Sequence, residues 1–147
     1  MPVSHAKVRV RYAETDQMGV AYHANFFVWF EVGRVELLRQ AGFDYKQMEV
    51  ADGCHIAVVE ACCRYRSPAH YDDELSIEVR LTAVRSSVLK FAYRVFCGPD
   101  ADNGAPRLLA EGETSHVVVD EKMAKRGLPE KYITALAHFV EQAPAHP

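Results

Sequence analysis

The chain has 147 residues, of which 49% are apolar and 25% are charged, and its formal net charge at pH 7 is −3. These values are typical of one globular domain with a single hydrophobic core, here expected over residues 1–147, and they exclude a disordered chain and a disulfide-dense scaffold. The small charge, without a long basic run, argues against a nucleic-acid or anionic-membrane partner, and no apolar stretch reaches the roughly 20 residues that a membrane span needs.

The cysteines and the N-terminal residues predict a reduced, cytoplasmic protein. The four cysteines form no CxxC pair, and the first residues show neither the basic nor the apolar region of a signal peptide. Cys62 and Cys63 are adjacent in an apolar run, which favours small buried thiols over metal or redox chemistry.

The first predicted element is a strand over residues 7–12, in which charged and apolar side chains alternate. This alternation directs Tyr12 toward the core. Residues 13–24 show no sustained period and predict a loop. The loop leads into a helix over residues 26–41, for which Asn25 is the predicted N-terminal cap.

The first two turns of this helix are apolar on nearly every side, a pattern typical of a helix that is buried on most of its surface. Four strand-length runs follow and can surround it, at residues 56–65, 75–83, 89–96 and 108–119. An Asp-Asn-Gly run at 102–104 predicts a tight turn between the last two strands. A final amphipathic helix is predicted over residues 129–142.

We therefore predict an α+β fold, in which an antiparallel, meandering sheet wraps around one long central helix and a short helix ends the chain. Four or five strands cannot enclose the helix completely, and the edge strands leave backbone groups unpaired. We expect a second copy of the chain to cover the open flank in a symmetric dimer.

The loop before the central helix carries the candidate chemistry. It places Asp16 and His23 on either side of Gly19, immediately before a helix N-terminus whose first amides can bind an oxyanion. A carboxylate there can act as nucleophile or general base toward a carbonyl, while an imidazole can hydrogen-bond to it or transfer a proton. Gly19 permits a sharp turn. Spacing alone leaves open that Asp16 is a turn residue, Tyr12 a core aromatic and His23 a structural histidine.

The same segment resembles the opening motif of hotdog-fold acyl-CoA thioesterases, most closely the subgroup of the 4-hydroxybenzoyl-CoA thioesterase family that is associated with bacterial Tol-Pal clusters. The matching positions are Tyr12, Thr15, Asp16, Gly19, Val20, Tyr22, His23, Asn25, Phe26, Glu31, Arg34, Glu36, Leu38 and Arg39. Less specific matches in the strands extend the resemblance over most of the chain. It implies a hotdog fold and an enzyme that hydrolyses an acyl-CoA thioester without a metal or cofactor.

The resemblance also assigns roles. It implies that Asp16 is the catalytic carboxylate, acting directly or through water, that the backbone N–H of His23 polarises the thioester carbonyl, and that the side chains of Tyr12 and His23 assist. Further positions of the motif are expected to contact substrate: Gly19, Val20, Tyr22 and Asn25. The resemblance further implies a homodimer with its site at the subunit interface, in some relatives paired into a homotetramer.

The substrate is expected to be an acyl-CoA, with acyl carrier protein as a second possible donor. Candidate cations for the CoA phosphates are Arg64, Arg66, Arg85 and Lys90, although each can equally be a solvated surface charge. His70 stands where many relatives carry a basic residue. A short or medium aliphatic acyl group is expected ahead of an aromatic one, because most of the chain's aromatic residues must fill the core.

Three alternatives stay open. A catalytic carboxylate on the helix itself would nominate Glu31, although we favour a structural ion pair between Glu31 and Arg34. A hotdog hydratase or dehydratase also combines an acid and a histidine near a buried helix. A non-catalytic subunit that binds acyl carriers would need no catalytic carboxylate.

Overall fold

A computed structural model of the chain describes residues 3–99 and 104–140. A short 3-10 turn at Tyr12–Glu14 follows the first strand. The other elements, in chain order, are β1 (Val3–Arg9), α1 (Asn25–Gln40), α2 (Tyr45–Asp52), β2 (His55–Tyr65), β3 (Glu74–Val84), β4 (Val88–Cys97), β5 (Arg107–Val119) and α3 (Glu130–Ala137). The predicted fold class, an antiparallel sheet around one long helix, is confirmed.

The five strands form one antiparallel sheet in the order β1-β3-β4-β5-β2. β3, β4 and β5 are consecutive neighbours, as predicted. The prediction that β2 joins this meander is wrong, because β2 pairs with β5 instead of β3. The free side of β3 is already occupied by β1, from Val3 opposite Arg80 to Arg9 opposite Glu74. β1 and β2 are therefore the two edges of the sheet.

The predicted element boundaries are accurate for the central helix and the later strands and poorer near the two ends of the chain. The four runs after α1 lie within one residue of β2, β3, β4 and β5, whereas the first strand is shifted, because β1 ends at Arg9 and the chain then turns. Helix α2 was not predicted. It begins after Asp44, whose carboxylate accepts a hydrogen bond from the amide of Lys46. The predicted turn at 102–104 falls largely outside the described residues. The terminal helix predicted over 129–142 ends earlier, since α3 spans Glu130–Ala137 and residues 138–140 are not helical, while 141 and 142 lie outside the described residues.

Helix α1 lies on the inner face of the sheet. The residues it buries are Phe26, Trp29, Phe30, Gly33, Leu37 and Leu38. Its other flank stays open, since Val28 and Val32 are 49% and 39% exposed. The prediction that the helix is buried on most of its surface therefore holds for only part of its first two turns within one chain, while the predicted open flank is confirmed. Edge strand β2, with exposed Val58 and Val59, is also open.

Candidate active site

The loop at 13–24 folds back on itself through one antiparallel bridge. Thr15 bridges Ala21, and the amide of Asp16 donates to the carbonyl of Val20 at 2.9 Å. Gly19 closes the turn with a φ of 79°, the left-handed conformation in which glycine is favoured. The sequence prediction of a sharp turn at Gly19 is confirmed.

Asp16 keeps part of its carboxylate available. Its Oδ1 accepts a hydrogen bond from the amide of Met18 at 2.8 Å. Its other oxygen has no hydrogen-bond partner within residues 3–99 and 104–140, and the residue is only partly buried. The direct hydrogen bond to His23 considered from the sequence is not formed.

The start of α1 differs from the prediction. The helix begins at Asn25, so Asn25 is not its cap, and the Asn25 side chain instead donates to the carbonyl of Glu14 at 2.8 Å. The amides of Asn25 and Phe26 donate to the carbonyls of Tyr22 and His23 at 2.9 and 3.3 Å. These first helical amides are therefore already used by the preceding turn.

Two amides just before the helix remain available. Those of His23 and Ala24 make no hydrogen bond to any residue that the structure describes. In a trans peptide the N–H points opposite to the C=O of the preceding residue. Because the carbonyls of Tyr22 and His23 point into the helix start, both free N–H groups point away from it. The positive end of the helix dipole adds to their attraction for an oxyanion.

Tyr65, at the end of β2, fixes one of these peptide units. Its hydroxyl donates to the carbonyl of His23 at 2.9 Å, and burial raises the pKa of Tyr65 to about 12. The exposed His23 ring lies against Tyr22, with the ring centroids 4.5 Å apart. An open cleft of about 320 Å³ adjoins it, lined by Val20, Ala21, His23, Phe26, Tyr65, Arg66, Ser67 and Pro68.

Glu14 is a site residue that sequence reasoning missed. It is only 6% exposed, and its carboxylate accepts hydrogen bonds from the amide of Arg11 at 2.8 Å and from Nε1 of Trp29 at 3.2 Å, and forms an ion pair with Nε of Arg11 at 3.3 Å. Its backbone carbonyl accepts from the amide of Tyr22 at 2.8 Å. No spacing rule links Glu14 to Trp29, because their contact depends on how the loop folds back on α1.

The prediction that Tyr12 points toward the core is wrong. Tyr12 is 77% exposed and packs edge-on against Tyr71, with the ring centroids 5.5 Å apart. The strand ends before Tyr12, and the 3-10 turn breaks the alternation on which the prediction rested. Its catalytic role stays a prediction.

Two of the predicted phosphate-binding cations are paired with carboxylates of β5. Arg64 binds Glu113 through two hydrogen bonds of 2.8 and 2.9 Å, which raises the pKa of the Arg64 guanidinium above its ordinary value. Arg66 lines the cleft and binds Glu111 at 2.8 Å. Both retain N–H donors for an anion.

The other two predicted cations lie far from the cleft of their own chain. Arg85 precedes β4 at the sheet end opposite Tyr65, roughly 26 Å away along the strands at about 3.3 Å per residue. Lys90 alternates with buried Leu89 and Phe91 and therefore lies on the sheet face away from α1.

The predicted ion pair between Glu31 and Arg34 is also wrong. Glu31 is exposed, and Arg34 instead donates to the hydroxyl of Tyr93 at 3.3 Å. The Tyr93 hydroxyl shares a hydrogen bond of 2.6 Å with the hydroxyl of Thr114. The same Thr114 hydroxyl shares a hydrogen bond of 2.7 Å with Nε2 of His116. Burial, with a smaller contribution from Arg34, lowers the pKa of His116 to about 4. Arg34 also lines a second cavity, of about 230 Å³, between α1 and β2.

The four cysteines are free thiols, but Cys62 is exposed and donates to Glu113 at 2.9 Å, so the prediction that it is buried is wrong. Over the part of the chain that the structure describes, no group of His, Cys, Asp and Glu side chains could hold a metal ion. Within the same residues, no helix is long and apolar enough to cross a membrane.

Comparison with known proteins identifies relatives along nearly the whole chain. A family model described as the thioesterase-like superfamily matches residues 10–140. YneP of Bacillus subtilis (strain 168) is 36% identical over 125 residues, which cover 85% of this chain and 86% of YneP. The acyl-CoA thioester hydrolase YbgC of Escherichia coli O6:H1 is 35% identical over 127 residues, covering 86% of this chain and 90% of YbgC. The crystal structure of TT1821, a hypothetical protein from Thermus thermophilus, has a TM-score of 0.83 and 35% identity, covering 95% of this chain and 99% of that chain.

Proposed function

The chain belongs to the thioesterase-like superfamily and is a thioester hydrolase with the hotdog fold, and we propose the following reaction and residue roles for it. The proposed reaction is hydrolysis of an acyl-CoA to the free acid and the CoA thiol, with Asp16 as the catalytic carboxylate. The observation that carries this proposal is the pair of unpaired amides at His23 and Ala24, on the same loop as a carboxylate with a free oxygen.

The amides supply electrostatic stabilisation. The thioester carbonyl oxygen would accept hydrogen bonds from the N–H groups of His23 and Ala24 at the start of α1. Negative charge grows on this oxygen as the carbonyl carbon is attacked. Donors that are already held in place therefore stabilise the transition state more than the ground state.

Asp16 would supply the nucleophile in one of two ways. As a general base it removes a proton from water, whose oxygen adds to the carbonyl carbon. As a nucleophile it forms a mixed anhydride that water then hydrolyses. In both cases the carbon–sulfur bond breaks and the CoA sulfur leaves with the bonding pair and takes a proton. The exposed imidazole of His23, beside the cleft, is the proposed proton donor.

We also propose a substrate class and an assembly. The donor is acyl-CoA or acyl carrier protein, with a short or medium aliphatic acyl group ahead of an aromatic one. The open flank of α1 carries exposed Val28 and Val32, and Val28 lines a cavity together with Val58 of edge strand β2, which supports a homodimer, alone or within a homotetramer. A site at that interface could receive Arg85 or Lys90 from the second subunit, since neither reaches the cleft of its own chain.

The test is thiol release from a panel of acyl-CoA chain lengths and benzoyl-type thioesters, with wild type and Asp16→Asn. Loss of a general base should lower kcat by at least about 100-fold. Asp44→Asn is a matched control, because Asp44 also accepts a hydrogen bond from the amide two residues later but caps α2, away from the cleft. Full activity of Asp16→Asn, with loss in Glu31→Gln, would move the catalytic role to Glu31. Absence of thiol release by wild type from both CoA and acyl carrier protein donors would contradict the proposed reaction.

A further inference from the structure

We propose that Glu14 is a positioning residue for the reaction, holding the free amides of His23 and Ala24 in place through its carboxylate and its carbonyl. The inference rests on the proposed function, because it assigns these amides to the thioester oxygen. Within the described residues, Glu14 is the only buried carboxylate.

The backbone carbonyl and the side-chain carboxylate of Glu14 bind the loop before α1 and the first two turns of that helix. Its carbonyl accepts hydrogen bonds from the amide of Tyr22 and the side chain of Asn25, each at 2.8 Å. These two residues directly flank the free amides of His23 and Ala24. Its carboxylate reaches Trp29, one turn further along α1, at 3.2 Å. A shift of Glu14 would therefore move the peptide units that carry both amides.

The site requires a carboxylate and not merely a polar side chain. Both carboxylate oxygens accept a hydrogen bond, Oε1 from the amide of Arg11 and Oε2 from Nε1 of Trp29, and Oε1 also forms an ion pair with Nε of Arg11. A glutamine has one oxygen and one NH₂ group, so one of these donors would face another donor in a buried position. Such an unmade hydrogen bond is costly and is relieved by moving the groups apart.

The experiment compares Glu14→Gln with wild type in the thiol-release assay, well below the melting temperature of both. We expect kcat to fall at least about tenfold while KM changes less than about twofold, because a small misplacement of catalytic donors is costly for the transition state. Glu36→Gln is the control. Glu36 also pairs with an arginine three residues away, Arg39 at 2.6 Å, but on the outer surface of α1.

A double variant tests the mechanism of this effect. Trp29→Phe removes the N–H that opposes the NH₂ of glutamine, so the loss in log kcat for Glu14→Gln with Trp29→Phe should be smaller than the sum of the two single losses. Strict additivity would contradict the proposed coupling. Wild-type kcat in Glu14→Gln, or a loss that disappears after correction for the unfolded fraction, would overturn the proposal.

A second readout does not depend on turnover. Amide hydrogen exchange at Tyr22 and Asn25, whose hydrogen-bonded amides flank the two free ones, should accelerate in Glu14→Gln and stay unchanged in Glu36→Gln when measured by NMR on the full chain. If wild type releases no thiol, the proposed function fails, yet this exchange measurement still decides whether Glu14 holds the amides. Unchanged exchange in Glu14→Gln would overturn the inference while leaving the hydrolase assignment intact.

Discussion

The hydroxyl of Tyr65 donates a hydrogen bond of 2.9 Å to the carbonyl of His23, joining the end of β2 to the start of α1. That carbonyl and the N–H of Ala24 belong to one peptide unit, so the bond fixes the direction of a proposed oxyanion donor. Burial raises the pKa of Tyr65 to about 12, so the hydroxyl remains protonated and able to donate at neutral pH.

Tyr65→Phe removes this hydrogen bond and keeps the ring. We expect kcat to fall by up to about tenfold, because the Ala24 amide loses one of its constraints, and stability to fall by about 1 kcal/mol. Tyr71→Phe is the control, since it removes another hydroxyl and keeps the ring that packs on Tyr12. Steady-state kinetics and denaturant unfolding measure both effects. Equal kcat in the two variants would show that the Tyr65 bond has no part in positioning.

The open flank of α1 predicts self-association. Val28→Glu places a charge at the centre of this flank, where Val28 is 49% exposed, and should convert a dimer into a folded monomer with little thioesterase activity. Val50→Glu introduces the same side chain at a 77% exposed position on α2 and should leave both assembly and activity unchanged. Sedimentation velocity over a range of concentrations distinguishes the two. A dimer that tolerates Val28→Glu would place the interface elsewhere.

The strands after α1 could be predicted because each carries its own signal. Residues 75–83 alternate strictly, with Leu75, Ile77 and Val79 buried, and period-2 alternation is a local property of the sequence. Strand order is not local. β2 lies beside β5 because β1 occupies the other side of β3, a competition between segments about 70 residues apart that no periodicity reveals.

In the candidate site, too, local features could be predicted from the sequence and long-range contacts could not. Asp16 and Gly19 were found because a turn glycine and a carboxylate before a helix are visible in sequence. Glu14 and Tyr65 were missed, since each acts through a contact with a backbone group or side chain that only the folded chain brings near. The Glu31–Arg34 pair was predicted from helix spacing and failed because Tyr93, on a neighbouring strand, offers Arg34 a buried partner.

The buried His116 predicts acid sensitivity. Its pKa is lowered to about 4 from the ordinary value near 6.5, so between these pH values the unfolded chain binds the proton and the folded chain does not. Stability is therefore fully present above about pH 6.5 and is lost as the pH falls through about 4, by about 3 kcal/mol in total. His116→Gln should remove this part of the pH dependence. His138→Gln, at an exposed histidine, should retain it. Parallel pH profiles of unfolding free energy for wild type and His116→Gln would contradict the assignment.

Helix α1 packs tightly on β3 at Gly33, where an added Cβ would overlap Cγ2 of Val79 and lie 2.9 Å from Cγ2 of Ile77. Alanine favours a helix over glycine by about 1 kcal/mol, but overpacking of a rigid core costs about 1–3 kcal/mol. Because Val79 and Ile77 are fully buried and β-branched, neither side chain can rotate away easily. We therefore expect Gly33→Ala to lower the free energy of unfolding, as measured by denaturant titration. Val79→Ala makes room for the new methyl group, so the double variant should lose less stability than the sum of the two single variants. Wild-type stability in Gly33→Ala would mean that α1 can move off β3 at little cost, and the position of the helix N-terminus would then be less rigid than the proposed site requires.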